Sequence, residues 1–158
     1  TTFVNVHLEI KEFGPLQALQ AMEFAARFGA VRPIVIVGDT NSDPGDPPIP
    51  FTPAPGAPQV LLPTPYTTLS SLFTDAWTNV GDGSGLTCCF DADIAPPSRD
   101  LFERVDLVLF GADATSKAAW RVGLEPLEDL GNRWPSDHAG VAAILRFDDT
   151  ETVSLEIE

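Results

Sequence analysis

The run PIVIVG (33–38) constrains the fold more than any other stretch, because it contains four consecutive β-branched residues and no charged one. A short apolar run of this kind is typical of a central strand that is buried on both faces. The polar segment GDTNSDP (38–44) follows directly. The sequence therefore predicts a sheet that is covered on both sides and whose central strand ends in polar side chains.

The segments before this run predict a strand and a helix. TFVNVHLEI (2–10) alternates, with Phe3, Asn5 and His7 on the polar face of a half-buried strand. GPLQALQAMEFAARFGA (14–30) has proline near its start and glycine near its end, as a helix does. Apolar residues at helical spacing predict the face that packs on the sheet: Leu16, Leu19, Met22 and Ala26.

The second half of the chain is dominated by predicted strands. TTLSSLFTDAW (67–77) predicts a short helix that leads into a strand. Further strands are predicted at GSGLTCCF (83–90), ERVDLVLF (103–110), AAWRVGLEPL (118–127), VAAILRF (141–147) and TVSLEIE (152–158). Strands outnumber helices, which favours a layered α/β arrangement on antiparallel and mixed sheet.

The segment 43–65 stands apart, with nine prolines in 23 residues. Proline fixes φ and lacks an amide donor, so this segment can be neither a helix nor a central strand. It predicts a long surface loop. A lid over a substrate or a segment that binds a partner is the functional alternative.

The charge of the chain is strongly acidic, with 23 acidic and nine basic residues and a net charge of −14. This composition disfavours binding to long nucleic acid, since that affinity depends on Lys and Arg contacts to phosphate. The acidity indicates either a solubility adaptation or a site at which a divalent cation allows an anionic substrate to approach. The sequence predicts neither a transmembrane segment nor a secretory signal region.

The two cysteines, Cys88 and Cys89, are adjacent. They lack the spacing of a disulfide framework and the two-residue gap of a common zinc pair. We interpret them as small buried apolar residues. They leave the cellular compartment open, with secretion slightly favoured over the cytoplasm.

Asp39 and Asn41 lie two residues apart at the exit of the apolar run, so their side chains point to the same side of the sheet edge. A functional pair and a turn stabilised by hydrogen bonds to the backbone are both compatible with this spacing. A calcium loop of the EF-hand type is excluded, because no glycine follows at the sixth position and no glutamate at the twelfth.

Two histidines and a strand aspartate complete the set of candidates. His7 lies on the polar face of its strand, where a structural histidine is the alternative. Asp106 lies within an apolar strand and needs a partner to offset its burial. That partner is either Arg104, on the same face, or a histidine from a neighbouring strand, and WPSDHAG (134–140) offers His138.

The motifs occur in a recognisable order. They are NVHLE (5–9), Gln20, PIVIVGDTNSDP (33–44), GLTCCF (85–90), ERVDLVLF (103–110) and WPSDHAGVAAIL (134–145). In this order the sequence resembles the endonuclease/exonuclease/phosphatase superfamily from residue 2 to about residue 147. The resemblance implies an α/β fold in which a two-layer β-sandwich of the deoxyribonuclease-I-like type is flanked by helices.

The resemblance covers only the C-terminal half of that fold, so we expect residues 1–158 to be the C-terminal part of one such domain. The earlier half of the family's domain supplies an asparagine and a glutamate that binds Mg²⁺, and neither matching segment is present in this sequence. A half-domain of this kind would expose an apolar sheet face. We expect the missing N-terminal half or an oligomer to cover that face.

The resemblance also implies catalytic roles in phosphoester hydrolysis. Asp39 would orient or deprotonate the attacking water, and Asn41 would hold the phosphate or that water. His138 would donate a hydrogen bond or proton to the phosphoryl group, with Asp106 fixing its tautomer. His7 would contact the phosphate from the opposite wall.

The implied metal is Mg²⁺ (or Mn²⁺), with Asp137 and Asp39 as its ligands in this chain. The resulting hypothesis is a metal-dependent phosphoester hydrolase, a phosphodiesterase or phosphatase that acts on a small or lipid-headgroup phosphoester. The alternatives are a nuclease and a catalytically incomplete half-domain that acts as an assembly or binding module.

Overall fold

A computed structural model of the chain describes residues 1–97 and 100–147. The helices are α1 (Gly14–Phe28), α2 (Pro65–Ser70) and α3 (Ala76–Val80). The strands are β1 (Thr2–His7), β2 (Ile34–Asp39), β3 (Ile49–Phe51), β4 (Val60–Leu62), β5 (Thr74–Asp75), β6 (Asp106–Phe110), β7 (Ala114–Val122) and β8 (Gly140–Phe147). The strand predicted at TVSLEIE lies outside the described residues. In the part of the chain described, none of the helices has the length and apolarity to cross a membrane.

The central sheet has the strand order β1-β2-β6-β5. β1 runs parallel to β2, and β6 runs antiparallel to β2 and to β5. The register pairs His7 with Asp39 and Asp39 with Asp106. Three of the predicted site residues therefore meet at one end of the sheet.

Alternate residues of β2 face two different layers. Ile34 and Ile36 pack with Leu69 on the side that carries α1 and α2. Val35 packs on the other side against a second, two-stranded antiparallel sheet of β7 and β8. The predicted layered α/β sandwich is confirmed, with a second layer of only two strands in the described residues.

The second layer leaves part of the central sheet uncovered. Phe3 on β1 is 72% exposed and Val37 on β2 is 36% exposed. Both line a cleft of about 420 Å³ with Val141 and Ala143 of β8. An apolar surface at the inner face of the sandwich is thus open to solvent along β1.

The buried face of α1 differs from the predicted one. Leu16 and Leu19 are each 48% exposed, and the residues that the helix buries are instead Gly14, Gln17, Ala18 and Ala21. Small residues let the helix approach the sheet closely. The side chain of Gln17 donates hydrogen bonds to the backbone carbonyls of Thr40 and Asn41. The spacing of apolar residues predicted the wrong face of α1, because Gln17 is polar but is buried by its hydrogen bonds to the loop that follows β2.

Two segments were predicted incorrectly in part. The proline-rich segment 43–65 contains the hairpin of β3 and β4, in which Pro50 lies on an exposed position of a short edge strand. GSGLTCCF is not a strand, and its Cys88 makes only isolated bridges to two different segments. The amides of this stretch bond both to Glu103 and to the loop before β8, so it forms no continuous ladder.

Candidate active site

Two parallel strand ends bring an imidazole and a carboxylate together. Nε2 of His7 lies 3.5 Å from Oδ2 of Asp39. The His7 side chain is 75% exposed, whereas that of Asp39 is 17% exposed. This close approach depends on Gly38, whose φ is +136° and whose added Cβ would overlap the carbonyl oxygen of Val6. Asp39 thus lies at the buried base of the site, and His7 lies at its solvent-exposed edge.

Asn41 fixes the turn that follows β2. Its backbone N–H donates to Oδ1 of Asp39 at 2.7 Å, and its side-chain Nδ2 donates to the carbonyl of Leu8 at 2.9 Å. Its φ of 49° is one that asparagine tolerates better than most residues. The turn-stabilising interpretation of this pair therefore holds. The same bonds keep the Asp39 carboxylate at a fixed position.

Asp106 pairs with His138. Nδ1 of the imidazole lies 2.8 Å from Oδ2 of Asp106, so the ring N–H donates to the carboxylate. The two side chains are 24% and 21% exposed. Of the two partners that the sequence allowed for Asp106, the structure selects the histidine, and Arg104 bonds elsewhere. The contact does not involve Nε2 of His138, which lies 3.6 Å from Sγ of Cys89.

The acids of the site shift the pKa values of their neighbours. The hydrogen bond to Asp106 raises the pKa of His138 above its usual value, and the charges of Asp106, Asp39 and Asp137 add to this effect against partial burial. Burial raises the pKa of Asp39, and the charge of Asp106 adds to it, although the Asn41 N–H opposes the shift. The site therefore favours a charged imidazole beside a carboxylate that is costly to ionise.

Thr87 is a site residue that sequence reasoning missed. Its buried hydroxyl accepts hydrogen bonds at 3.2 Å from the backbone N–H groups of both Val105 and Asp106. Its carbonyl accepts from the N–H of Ala139, next to His138. Thr87 thus ties the start of β6 to the loop that carries the imidazole. A threonine inside GLTCCF carried no signal of this role in the sequence.

Asp75 is a second residue that the sequence did not reveal. It is 5% exposed and lies 2.5 Å from the guanidinium of Arg104, which is itself 5% exposed. Its other carboxylate oxygen accepts from the N–H of Trp77 and begins α3. The hydroxyl of Tyr66 donates to Oδ2 of Asp75, the oxygen that also pairs with Arg104. This buried network holds Arg104, two residues before Asp106.

Asp137 lies at the rim of the site. Its side chain is exposed and accepts a hydrogen bond from the hydroxyl of Ser136 at 3.3 Å. Its backbone carbonyl accepts from the N–H of Phe90. Its effect on the site within the described residues is electrostatic, through the raised pKa of His138. The metal-binding role of Asp137 stays a prediction.

The donor set at the sheet end is compatible with a divalent cation. Ligand atoms of Asp39, Asp106 and His138 all lie within 4.8 Å of one another. Mg²⁺ is held in proteins through one or two carboxylates together with water and substrate phosphate oxygens. The high cost of ionising Asp39 is what a nearby cation would relieve. These residues therefore fit Mg²⁺, with Asp39 as the carboxylate that is not already bonded to an imidazole.

The two cysteines lie on the other side of His138. Cys88 and Cys89 are joined to each other by a disulfide. Cys88 is buried, as predicted, and Cys89 is half-buried. Sγ of Cys89 lies 3.6 Å from Nε2 of His138. The interpretation of both cysteines as small buried apolar residues is therefore incomplete.

Solved structures provide the comparison with known proteins. No protein-family model matches the sequence, and neither does any curated protein. TDP2 from D. rerio, complexed with a single-strand DNA product, matches 91% of this chain with a TM-score of 0.61 and 16% identity. An endonuclease/exonuclease/phosphatase from Bacteroides vulgatus matches 85% with a TM-score of 0.58 and 16% identity. The Bacteroides thetaiotaomicron mannosyl-6-phosphatase Bt3783 matches 92% with a TM-score of 0.58 and 18% identity.

The matches extend over only part of those proteins. The chain spans 55%, 45% and 51% of their respective lengths. The two layers, a four-stranded sheet and the sheet of β7 and β8, agree with the predicted sandwich architecture. This chain has the fold of the endonuclease/exonuclease/phosphatase proteins and spans about half the length of the solved chains that it matches.

Proposed function

We propose that this chain carries the catalytic residues of a metal-dependent phosphoester hydrolase. The observation that supports this most is the convergence of His7, Asp39 and His138 at one sheet end, on three segments far apart in sequence. Asp106 and Asn41 bond to members of this group and orient them. Phosphoester hydrolysis needs an activated water and relief of charge on the phosphoryl oxygens, and these side chains supply both.

Asp39 is the proposed base. A general base must lie within hydrogen-bond reach of the water that it deprotonates, and the N–H of Asn41 holds the Asp39 carboxylate in a fixed position at the end of β2. Its Oδ1 is occupied by the N–H of Asn41, so Oδ2 is the oxygen that accepts a proton from water. Asn41 positions this carboxylate and, in the proposed complex, the phosphate or water beside it.

His138 is the proposed donor to the phosphoryl group. The bond from Nδ1 to Asp106 orients the ring and raises its pKa, which favours the charged form that donates from Nε2. His7, whose ring is largely exposed, contacts the phosphate from the opposite wall. The two imidazoles thus neutralise oxygens of one phosphoryl group from two sides.

Asp39 and Asp137 are the proposed protein ligands of Mg²⁺ (or Mn²⁺) in this chain. The bound cation supplies charge relief to the phosphoryl oxygens. The acidity of the chain makes such a cation more important, since a net charge of −14 repels an anionic substrate.

A small or lipid-headgroup phosphoester is the proposed substrate. The acidic composition disfavours long nucleic acid. The nuclease alternative is favoured by one observation, the similarity to TDP2 complexed with a single-strand DNA product. A third possibility is a half-domain without catalysis, favoured by the partial coverage of the solved structures and by the uncovered Phe3 and Val37. In that case the chain acts as an assembly or binding module, and a second copy or a partner chain occupies the uncovered face.

The deciding experiment compares three substrates with Mg²⁺ and with chelator: bis-nitrophenyl phosphate, sphingomyelin and plasmid DNA. It is run on the chain alone and on a domain completed with an N-terminal half. Asp39→Ala and His138→Ala are each expected to lower turnover by about 10²–10⁴-fold. The exposed Asp129→Ala serves as the matched control. Wild-type turnover by Asp39→Ala would contradict the assignment, and cleavage of DNA alone would favour the nuclease.

A further inference from the structure

Two sulphur atoms lie against the ring of His138, and the proposed hydrolysis uses neither of them. Cys88 forms backbone bridges to both Glu103 and His138, which brings its segment next to the imidazole. Sγ of Cys89 lies 3.6 Å from Nε2, the ring nitrogen that is directed away from Asp106. Sulphur and imidazole nitrogen are the ligands that zinc prefers in proteins.

The orientation of His138 suits a metal ligand at Nε2. Metal-binding histidines almost always donate the other ring N–H to a carboxylate or carbonyl, which fixes the tautomer. Here Nδ1 donates to Asp106 at 2.8 Å, so the lone pair of the neutral ring lies on Nε2. Sγ of Cys89 lies 3.6 Å from the nitrogen that carries this lone pair.

The distance from Cys89 to His138, 3.6 Å, fits two ligands of one small cation, and the two sulphur atoms separate to such a distance only when the disulfide is reduced. Sγ of Cys88, Sγ of Cys89 and a ring nitrogen of His138 lie within 4.8 Å of one another. A tetrahedral zinc ion with bonds of about 2.3 Å to sulphur and about 2.0 Å to nitrogen holds its ligands roughly 3.5–3.8 Å apart. The ring is 24% exposed, so a cation can reach it from solvent.

We propose that Cys88, Cys89 and His138 form a site for a soft divalent cation of the zinc class when the disulfide is reduced. A dithiol reductant supplies two electrons and two protons to the S–S bond and is itself oxidised to a disulfide. The cation then displaces the two thiol protons, together with the Nε2 proton when the imidazole is charged, and these protons pass to solvent. Thiolates select zinc over Mg²⁺, so this site and the carboxylate site take different metals.

Occupation of this site would switch off the proposed hydrolysis, a consequence that depends on the proposed function. Nε2 cannot bind zinc and donate to a phosphoryl oxygen at the same time. Zinc therefore inhibits the reduced protein, and a chelator selective for zinc over Mg²⁺, or oxidation of the two thiols, restores turnover. Cation binding itself is independent of any activity.

The test uses the full chain, reduced and freed of reductant, with Co²⁺ as a spectroscopic probe. We expect one tightly bound Co²⁺ with thiolate-to-cobalt charge-transfer bands and tetrahedral ligand-field bands, both lost on addition of Zn²⁺ and absent from the oxidised protein. The chain has two cysteines and two histidines in all, which simplifies assignment. His138→Gln is expected to weaken binding at least about tenfold, whereas the matched His7→Gln leaves it unchanged.

Cys89→Ser tests the sulphur ligands, and Cys88→Ser serves as the second variant if the first loses its circular dichroism spectrum. Either is expected to remove most of the charge-transfer intensity. Absence of thiolate bands in reduced wild-type protein with two titratable thiols would overturn the proposal, as would equal affinities of His138→Gln and His7→Gln. Mg²⁺-dependent hydrolysis unaffected by zinc would refute the inhibitory link while leaving the proposed function intact.

Discussion

Removal of Asp75 tests whether the buried network behind the site is as tightly coupled as its geometry indicates. Asp75→Ala would leave the guanidinium of Arg104, which is 5% exposed, without its charged partner. Leaving one member of a buried pair alone costs about 3–5 kcal/mol. Loss of the N-cap of α3 adds about 1 kcal/mol. A domain of this size is stable by only about 5–15 kcal/mol, so the variant is expected to be close to unfolding.

Urea denaturation, followed by circular dichroism, measures the change in the free energy of unfolding. Asp129→Ala is the matched control, since Asp129 is exposed, and its change is expected within about 0.5 kcal/mol. The double variant Asp75→Leu with Arg104→Met removes both charges and is expected to recover most of the loss, because apolar replacement of a whole buried pair is often neutral. The reasoning would be refuted if Asp75→Ala changed the free energy of unfolding as little as Asp129→Ala does. It would also be refuted if the double variant were no more stable than Asp75→Ala.

Three further predictions concern the ends of the strands. Gly38→Ala is expected to lower the free energy of unfolding in urea by at least about 2 kcal/mol, because φ is +136° and the new Cβ overlaps β1; an effect near zero would contradict the described approach of the strands. The stabilisation from His138 is expected to be complete below its ordinary pKa of about 6.5 and to be lost as pH rises through its higher folded pKa. Asp106→Asn should flatten that dependence in urea titrations at several pH values, and an unchanged profile would contradict the pairing. Thr87→Val leaves two backbone N–H groups without an acceptor, and we expect a loss of about 1–3 kcal/mol by thermal or urea denaturation; a neutral result would show that water or a neighbour replaces the hydroxyl.

The sequence predicted the elements whose pattern is set by local burial. β2 was recognisable because both of its faces are covered, and β1 because one face is polar. The candidates His7 and Asp39 follow from strand ends and Asp106 from its place within an apolar strand, and the register then places the three side by side. The sequence left two possible partners for Asp106, Arg104 and His138. It could not decide between them, because the choice depends on how β8 and its preceding loop pack.

The features that the sequence could not predict depend on contacts between distant segments. Gln17 is polar and buried because it binds the loop after β2, so the apolar spacing of α1 indicated the wrong face. Asp75 is buried through Arg104, which lies 29 residues away. Thr87 acts through its hydroxyl on the start of β6. The contact between Cys89 and His138 arises from an isolated β-bridge between Cys88 and His138, and a single bridge leaves no alternating pattern in the sequence.

The most direct test of the central claim uses Mn²⁺ as a paramagnetic substitute for Mg²⁺ and the ring protons of the two histidines as reporters. If Asp39 holds the metal between them, small amounts of Mn²⁺ are expected to broaden the resonances of both His7 and His138 before those of other aromatic side chains. Asp39→Asn should abolish this selectivity, whereas Asp129→Asn should not. Broadening that spares either imidazole, or that persists unchanged in Asp39→Asn, would contradict a shared metal and phosphate site at this sheet end.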